Sequence, residues 1–300
     1  MGKRTISEGN QIKQANNSTV KVQVAGLSYY MDGYLKQNLD HLKRAVANKW
    51  DGVMVVDGLE GGGKTNIGKC IAHYCSEGKF NLDNVVFTPQ QFMDAVVRAK
   101  PGEAILWDEF ILAGLSTEGM NQMQNALIKF MTTIRKRRLF IILVVPWIFM
   151  LRTYFAVGRS RCLIHVYSHD GIQRGRFVFY NYIDKSELYF KGKRFFKYDV
   201  KPSFYGVFTK YDGLFYDEEE YEKKKDTTIQ NLGKSSYSSK SATWLTDLLG
   251  HLFYDVRIGY PELITMNNLI NWTGSSDTSI KRYLSYYKKK LKNVSAIEDS

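Results

Sequence analysis

Cysteine and proline are scarce in this chain of 300 residues, with 3 of the first and 5 of the second. Cys70, Cys75 and Cys162 are odd in number, and no Cys-x-x-Cys spacing occurs. This excludes a disulfide framework and a cysteine zinc site, and it fits a reducing cytoplasm. Long hydrophobic runs are missing too. The longest, Phe140–Leu151, is broken by Pro146 and is too short to cross a bilayer. Residues 1–18 are mostly polar and hold no apolar core of a secretory leader. A cytoplasmic protein with no integral membrane segment is therefore expected. Acidic residues are in deficit: 30 Asp plus Glu stand against 42 Lys plus Arg, a formal net charge of +12. Such a surface favours polyanions, nucleic acid above all.

Apolar patterning divides the chain. Residues 1–18 read as a disordered arm. Val20–Val24 alternates like a strand, and Leu35, Leu39, Leu42 and Val46 fall at helical spacing. Strands are then expected over 52–56, 84–88, 104–107, 139–145 and 161–167. Helices are expected over 65–75, from Pro89, and over 121–135. Strands alternating with helices predict an α/β fold: a mostly parallel sheet with helices on both faces. From about residue 171 the pattern turns β-rich, with Arg176–Tyr182 and Glu187–Tyr198 as strands and Lys191-Gly192-Lys193 as a hairpin turn. The expected domains are an α/β domain over 19–215 that includes the β-rich extension, a linker over 216–240 and a small helical domain over 241–300.

One motif carries the chemistry. Gly58-Leu-Glu-Gly61-Gly62-Gly63-Lys64-Thr65 follows G-x-x-x-x-G-K-[ST], placed between an apolar strand and a helix. The glycines let backbone amides turn inward as an anion nest, and the following helix aims its positive end at phosphate. Lys64 is expected to bridge the β and γ phosphates of ATP, and the Thr65 hydroxyl to ligate Mg²⁺. One helix-strand unit later, Ala104-Ile-Leu-Trp ends in Asp108-Glu109. At the tip of a buried strand, Asp108 is expected to hold Mg²⁺ through water, and Glu109 to polarise the attacking water as general base.

Together these motifs resemble the P-loop ATPases that carry a Walker A loop, a Walker B aspartate and an adjacent catalytic glutamate. Within that group the chain is loosely similar to the FtsK/HerA-like and zonula-occludens-toxin-like DNA-handling ATPases. The resemblance covers roughly residues 50–170 and implies a P-loop NTPase core with strand order 5-1-4-3-2. Val145-Pro146-Trp147 stands where many relatives carry a polar sensor, so no sensor is assigned. Such ATPases need an arginine on the γ-phosphate, often from a neighbouring subunit. Arg159 and Arg161 are favoured over Arg135, Arg137 and Arg138, and a site completed in trans implies a ring oligomer. His165 and His169 are not expected to act as metal ligands.

At the C-terminus, Met266–Trp272, the turn Thr273-Gly274-Ser275 and an amphipathic helix after Ser276 or Asp277 resemble a helix-turn-helix or winged-helix DNA reader. Ile280, Tyr283, Leu284, Tyr287 and Leu291 form the apolar stripe, and Thr278, Ser279, Lys281, Arg282, Ser285, Lys288 and Lys289 the opposite face. The functional expectation is an ATP-hydrolysing DNA motor or translocase acting in translocation, packaging or replication. A viral or plasmid origin is expected from the small, mosaic build. An ATP-gated DNA-binding switch and a membrane-partnered phage assembly ATPase are the alternatives.

Overall fold

The computed structural model describes residues 19–110, 127–235, 265–273 and 276–298. The expected arm, the first part of the helical domain expected over 241–300 and the turn residues 274 and 275 lie outside the described residues. The chain forms two compact units.

Among the described residues, the first unit holds residues 19–86, Lys100–Phe110 and Lys136–Tyr221. It opens with an antiparallel hairpin, β1 (Thr19–Val24) and β2 (Leu27–Asp32). Ala25 and Gly26, at φ 47° and 85°, make its tight turn. Asp32 caps α1 (Gly33–Ala47) by accepting from Tyr34 N at 2.9 Å and Leu35 N at 3.0 Å. The helix buries Leu35, Leu39, Leu42 and Val46, the stripe legible in the sequence.

The main sheet has seven strands: β3 (Gly52–Gly58), β4 (Val85–Val86), β5 (Ala104–Trp107), β6 (Phe140–Val144), β7 (Cys162–Tyr167), β8 (Arg176–Tyr180) and β9 (Phe204–Val207). Their order is β4-β5-β6-β3-β7-β8-β9. The first five run parallel, and β8 and β9 add antiparallel to the β7 edge. Strand β3 sits between two neighbours and is buried throughout, which is why it reads as a continuous apolar run rather than an alternation. Helix α2 (Lys64–Cys75) lies on one face, where Gly68 stands close enough that a β-carbon would meet Leu106 Cδ1 at 2.9 Å. Helix α1 covers the same face, with Leu42 against Gly52.

After β8 comes helix α4 (Tyr182–Gly192), not the strands expected over 187–198. Asn181 caps it by accepting from Ile183 N at 2.8 Å and Asp184 N at 3.0 Å. Lys185, Leu188 and Tyr189 then fall on one helical face and are buried. The buried lysine hid this stripe from an apolar reading. Its ammonium donates to Ser160 Oγ at 2.7 Å and also to Ser160 O.

Among the described residues, the second unit contains Phe87–Ala99, residues 127–135 and those from Glu222 onward. Helix α3 (Pro89–Arg98) is capped by Thr88, whose hydroxyl accepts from Gln91 N at 3.2 Å. Phe92 meets Phe130, of the helix over 127–133, edge to face with centroids 6.0 Å apart. Most of the expected linker is helical, as α5 (Glu218–Ser235). Gln91 Nε2 donates to Thr228 of α5 at 3.2 Å. The last two described helices are α6 (Met266–Thr273) and α7 (Asp277–Glu298). Leu269, Ile280 and Leu284 are buried between them, and Ser276 Oγ accepts from Ser279 N at 3.2 Å as the α7 cap.

All three cysteines are buried and free. Burial pushes the Cys70 and Cys162 thiols up to about 12, and raises Cys75 as well.

Candidate active site

The cradle begins where β3 ends. Gly58 has φ 137°, and a β-carbon there would stand 2.0 Å from the Val166 carbonyl oxygen on β7. Only glycine fits both the backbone and the space. Its amide donates to Pro146 O at 3.1 Å. Gly61 and Gly63 also take positive φ, 72° and 98°. Gly63 is the N-cap of α2 and brings no side-chain oxygen, so the helix end stays open to an outside anion. Lys64 folds back over the loop and donates to Gly58 O at 2.8 Å and Leu59 O at 3.0 Å. Burial lowers its pKa from the ordinary lysine range, against the opposing pull of Asp108, Glu60, Asp57 and Glu109.

The acidic half arrives from β5. Asp108 is buried, and its amide donates to Val86 O at 2.9 Å, holding it at the end of the sheet. The Thr65 hydroxyl donates to Asp108 Oδ2 at 3.0 Å. Thus two groups separated by 43 positions, both expected to handle Mg²⁺, touch each other. Glu109 follows at φ 50°, a left-handed conformation costly for a residue with a β-carbon. Its amide donates to Asp108 Oδ1 at 2.9 Å. Such backbone strain concentrates at functional sites.

A tyrosine joins them. Tyr221, in the first turn of α5, is buried and donates its hydroxyl to the same Asp108 Oδ2. Burial, then the Asp108 charge, raises the phenol pKa, so it remains a donor. Lys69 of α2 is paired with Glu218, which pins that turn of α5. Asn66 holds the preceding segment, donating to Thr209 O at 2.8 Å and accepting from Tyr211 N at 3.0 Å. The sequence showed no sign of Tyr221, because it sits in a charged run read as linker.

No protein family, curated protein or solved structure matches this chain.

The favoured arginines stand elsewhere. Arg159 is ion-paired with Asp51, the residue before β3, at the edge of the sheet opposite the cradle. Arg161 lies over the Trp50 ring at 4.7 Å, at the same far edge. The seven residues of β3, about 20 Å of extended chain, separate that edge from Gly58. Arg174, which sequence reasoning passed over, stands beside the loop. Its Nη2 is 3.8 Å from where a β-carbon on Gly61 would be.

Under the loop lies a buried polar cluster around Asp57. Its carboxylate accepts from Ile148 N at 2.8 Å and from the Tyr198 hydroxyl, and it contacts His165 Nδ1 at 2.8 Å. His165 is therefore a partner of the strand that launches the cradle. Among the described residues, no group of three or more His, Cys, Asp or Glu gathers to hold a metal. The Thr65–Asp108 pair suits a cation completed by phosphate and water, as Mg²⁺ at nucleotide sites usually is. No helix among the described residues is long and apolar enough to cross a membrane.

Proposed function

We propose that this protein binds MgATP at Gly58–Thr65 and hydrolyses it in the service of handling DNA. The observation that carries the reading is the contact of Thr65 with Asp108 at 3.0 Å, beside a glycine-lined loop that Lys64 spans. Chance placement of a G-x-x-x-x-G-K-T string does not bring an aspartate from another strand onto its threonine. The order of the five parallel strands, with β3 between β6 and β7, agrees with the P-loop arrangement that the motifs imply.

Bound MgATP supplies an electrophilic phosphoryl group and a strong local charge. In this reading, Lys64 leaves the loop carbonyls for phosphate oxygens. Thr65 and Asp108 hold the metal. Glu109 orients water and takes its proton. Arg174, already at the loop, is better placed than Arg159 or Arg161 to meet phosphate charge in cis. Self-association into a ring remains part of the proposal. So does DNA contact through α7, where Thr278, Lys281, Arg282, Ser285 and Lys288 are exposed opposite buried Ile280 and Leu284.

Tyr221 on Asp108 favours a second reading, an ATP-gated DNA-binding switch with slow turnover, over a fast motor. The test is ATP turnover and sizing, with and without single- and double-stranded DNA, for wild type and Lys64→Ala. Loss of turnover in Lys64→Ala is expected, and normal hydrolysis there would refute the reading. A rate of many turnovers per second with DNA favours the motor. DNA affinity that follows nucleotide state at low turnover favours the switch.

A further inference from the structure

The last turn of α4 and the segment after it form a knuckle that mixes rings and cations: Phe190 and Lys191, then Lys193, Arg194, Phe195, Phe196 and Lys197. Phe190, Phe195 and Phe196 are 64%, 63% and 51% exposed, an unusual degree for phenylalanine. The knuckle is nonetheless tightly held. Phe195 N and Lys197 N both donate to Gly192 O, at 3.1 and 3.2 Å. A β-carbon on Gly192 would meet Lys197 O at 2.2 Å. Phe196 sits at φ 53°, where a bulky aromatic side chain is rare. A strained backbone thus presents the Phe196 ring to solvent. Trp147, also exposed, lies beside it with ring centroids 5.4 Å apart and planes tilted by 45°. The Arg194 guanidinium lies over Phe195 at 5.2 Å. Lys191 is partly neutralised by Glu187, which leaves Lys193, Arg194 and Lys197 as the main charges.

We infer that this knuckle, with Trp147, is a binding surface for single-stranded nucleic acid. Rings offer faces to unpaired bases, and interleaved cations meet the phosphates between them. A duplex hides its base faces and would use the cations alone. An anionic bilayer prefers an apolar face backed by a separate charged one. Here rings and cations are intermixed along one short segment, so that base faces and phosphates of a single strand can be met side by side.

The surface is also tied to the cradle. Tyr198, the next residue after Lys197, donates to Asp57, and Ile148, the next after Trp147, donates to the same carboxylate. Pro146, just before Trp147, accepts from Gly58. A strand seated on these rings therefore acts on both residues that open the phosphate loop. The inference rests on the DNA-handling reading for its partner, but binding needs no hydrolysis, so the two can fail separately.

The test is fluorescence anisotropy of a labelled oligothymidylate of about 20 nucleotides, without nucleotide, on the full chain and in a Lys64→Ala background. Phe195→Ala is expected to weaken binding about tenfold with little change in its salt dependence. Phe195→Trp should retain affinity. Arg194→Gln should weaken binding and flatten the salt dependence. Duplex affinity should be unmoved by Phe195→Ala. Circular dichroism would check that each variant is folded. Wild-type affinity in Phe195→Ala, or loss in Phe195→Trp as deep as in Phe195→Ala, overturns the inference. So does co-sedimentation with phosphatidylserine vesicles that Phe195→Ala abolishes while strand binding persists. Tyr198→Phe should bind the strand as wild type does, yet lose its effect on nucleotide affinity. Retention of that effect removes the link to the cradle.

Discussion

At the scale of single residues, Asp108 has more partners than its presumed role requires. Thr65 and Tyr221 both donate to Oδ2, while the Glu109 amide donates to Oδ1. A carboxylate held this way is oriented, but in the proposed reading it would exchange the Tyr221 hydrogen bond for a ligand of Mg²⁺. Tyr221→Phe removes one donor and keeps the ring stacked on Tyr216. It is expected to lower the Mg²⁺ concentration giving half-maximal ATP binding by several-fold, the counterpart of about 1 kcal/mol for one hydrogen bond. A Mg²⁺ titration with a fluorescent ATP analogue reads this directly. A rise instead of a fall would show that the tyrosine holds the carboxylate in its working pose. The arginines separate in the same way. Arg174→Ala should reduce turnover at least tenfold with little effect on stability, since the side chain is exposed. Arg159→Ala should destabilise the fold by about 3 kcal/mol, because it strands the buried Asp51 carboxylate. Urea denaturation and an ATPase assay on both variants distinguish the two roles.

At the scale of elements, the sequence was readable where one periodicity dominated. The β3 run, the α1 stripe and the cap-and-proline start of α3 all appear as the residues imply. Helix α4 did not, because its inward face includes a lysine and because Phe190–Tyr198 imitates a strand. The charged stretch of α5 looked like linker because its helical ladder has few apolar residues. Lys185 offers a test of the corrected picture. Burial lowers its pKa to about 8, so between that value and the ordinary lysine range near 10.5 the unfolded chain binds more protons than the folded one. The lysine therefore adds to stability as pH rises through about 8, and weighs against the fold below it. Denaturant unfolding of wild type and Lys185→Met at pH 7 and 9 should show wild type gaining relative to the variant at the higher pH. A gap independent of pH would mean that the ammonium stays charged in the fold.

At the scale of the whole molecule, the α/β class, the parallel core and the strand that launches the cradle were legible. Periodicity and glycine placement are local signals. What lay hidden was long-range: Arg174 beside Gly61, Tyr221 on Asp108 and the His165–Asp57–Tyr198 cluster each join residues far apart in the chain. No local pattern encodes such meetings. The placement of Arg159 and Arg161 was hidden for the same reason, since a pair flanking a strand says nothing about which end of the sheet it occupies. Position in the sheet has a direct cost at Gly58. Gly58→Ala puts a methyl group into Val166 O, so expression of folded protein should fall along with nucleotide binding. Thermal unfolding of whatever is recovered would register the loss.

The three buried thiols give the molecule a chemical clock. Cys70 and Cys75 lie on α2, the helix that starts at Lys64, and Cys162 begins β7. Raised thiol pKa values and burial leave them inert toward a thiol-exchange reagent at neutral pH until the structure opens. Their modification rate then counts opening events rather than surface reactivity. If MgATP tightens α2 against the sheet, saturating nucleotide should slow all three together, and Lys64→Ala should abolish that protection. Cys162 reacting alone, ahead of the α2 pair, would instead mark the start of β7 as the place where the core first comes apart.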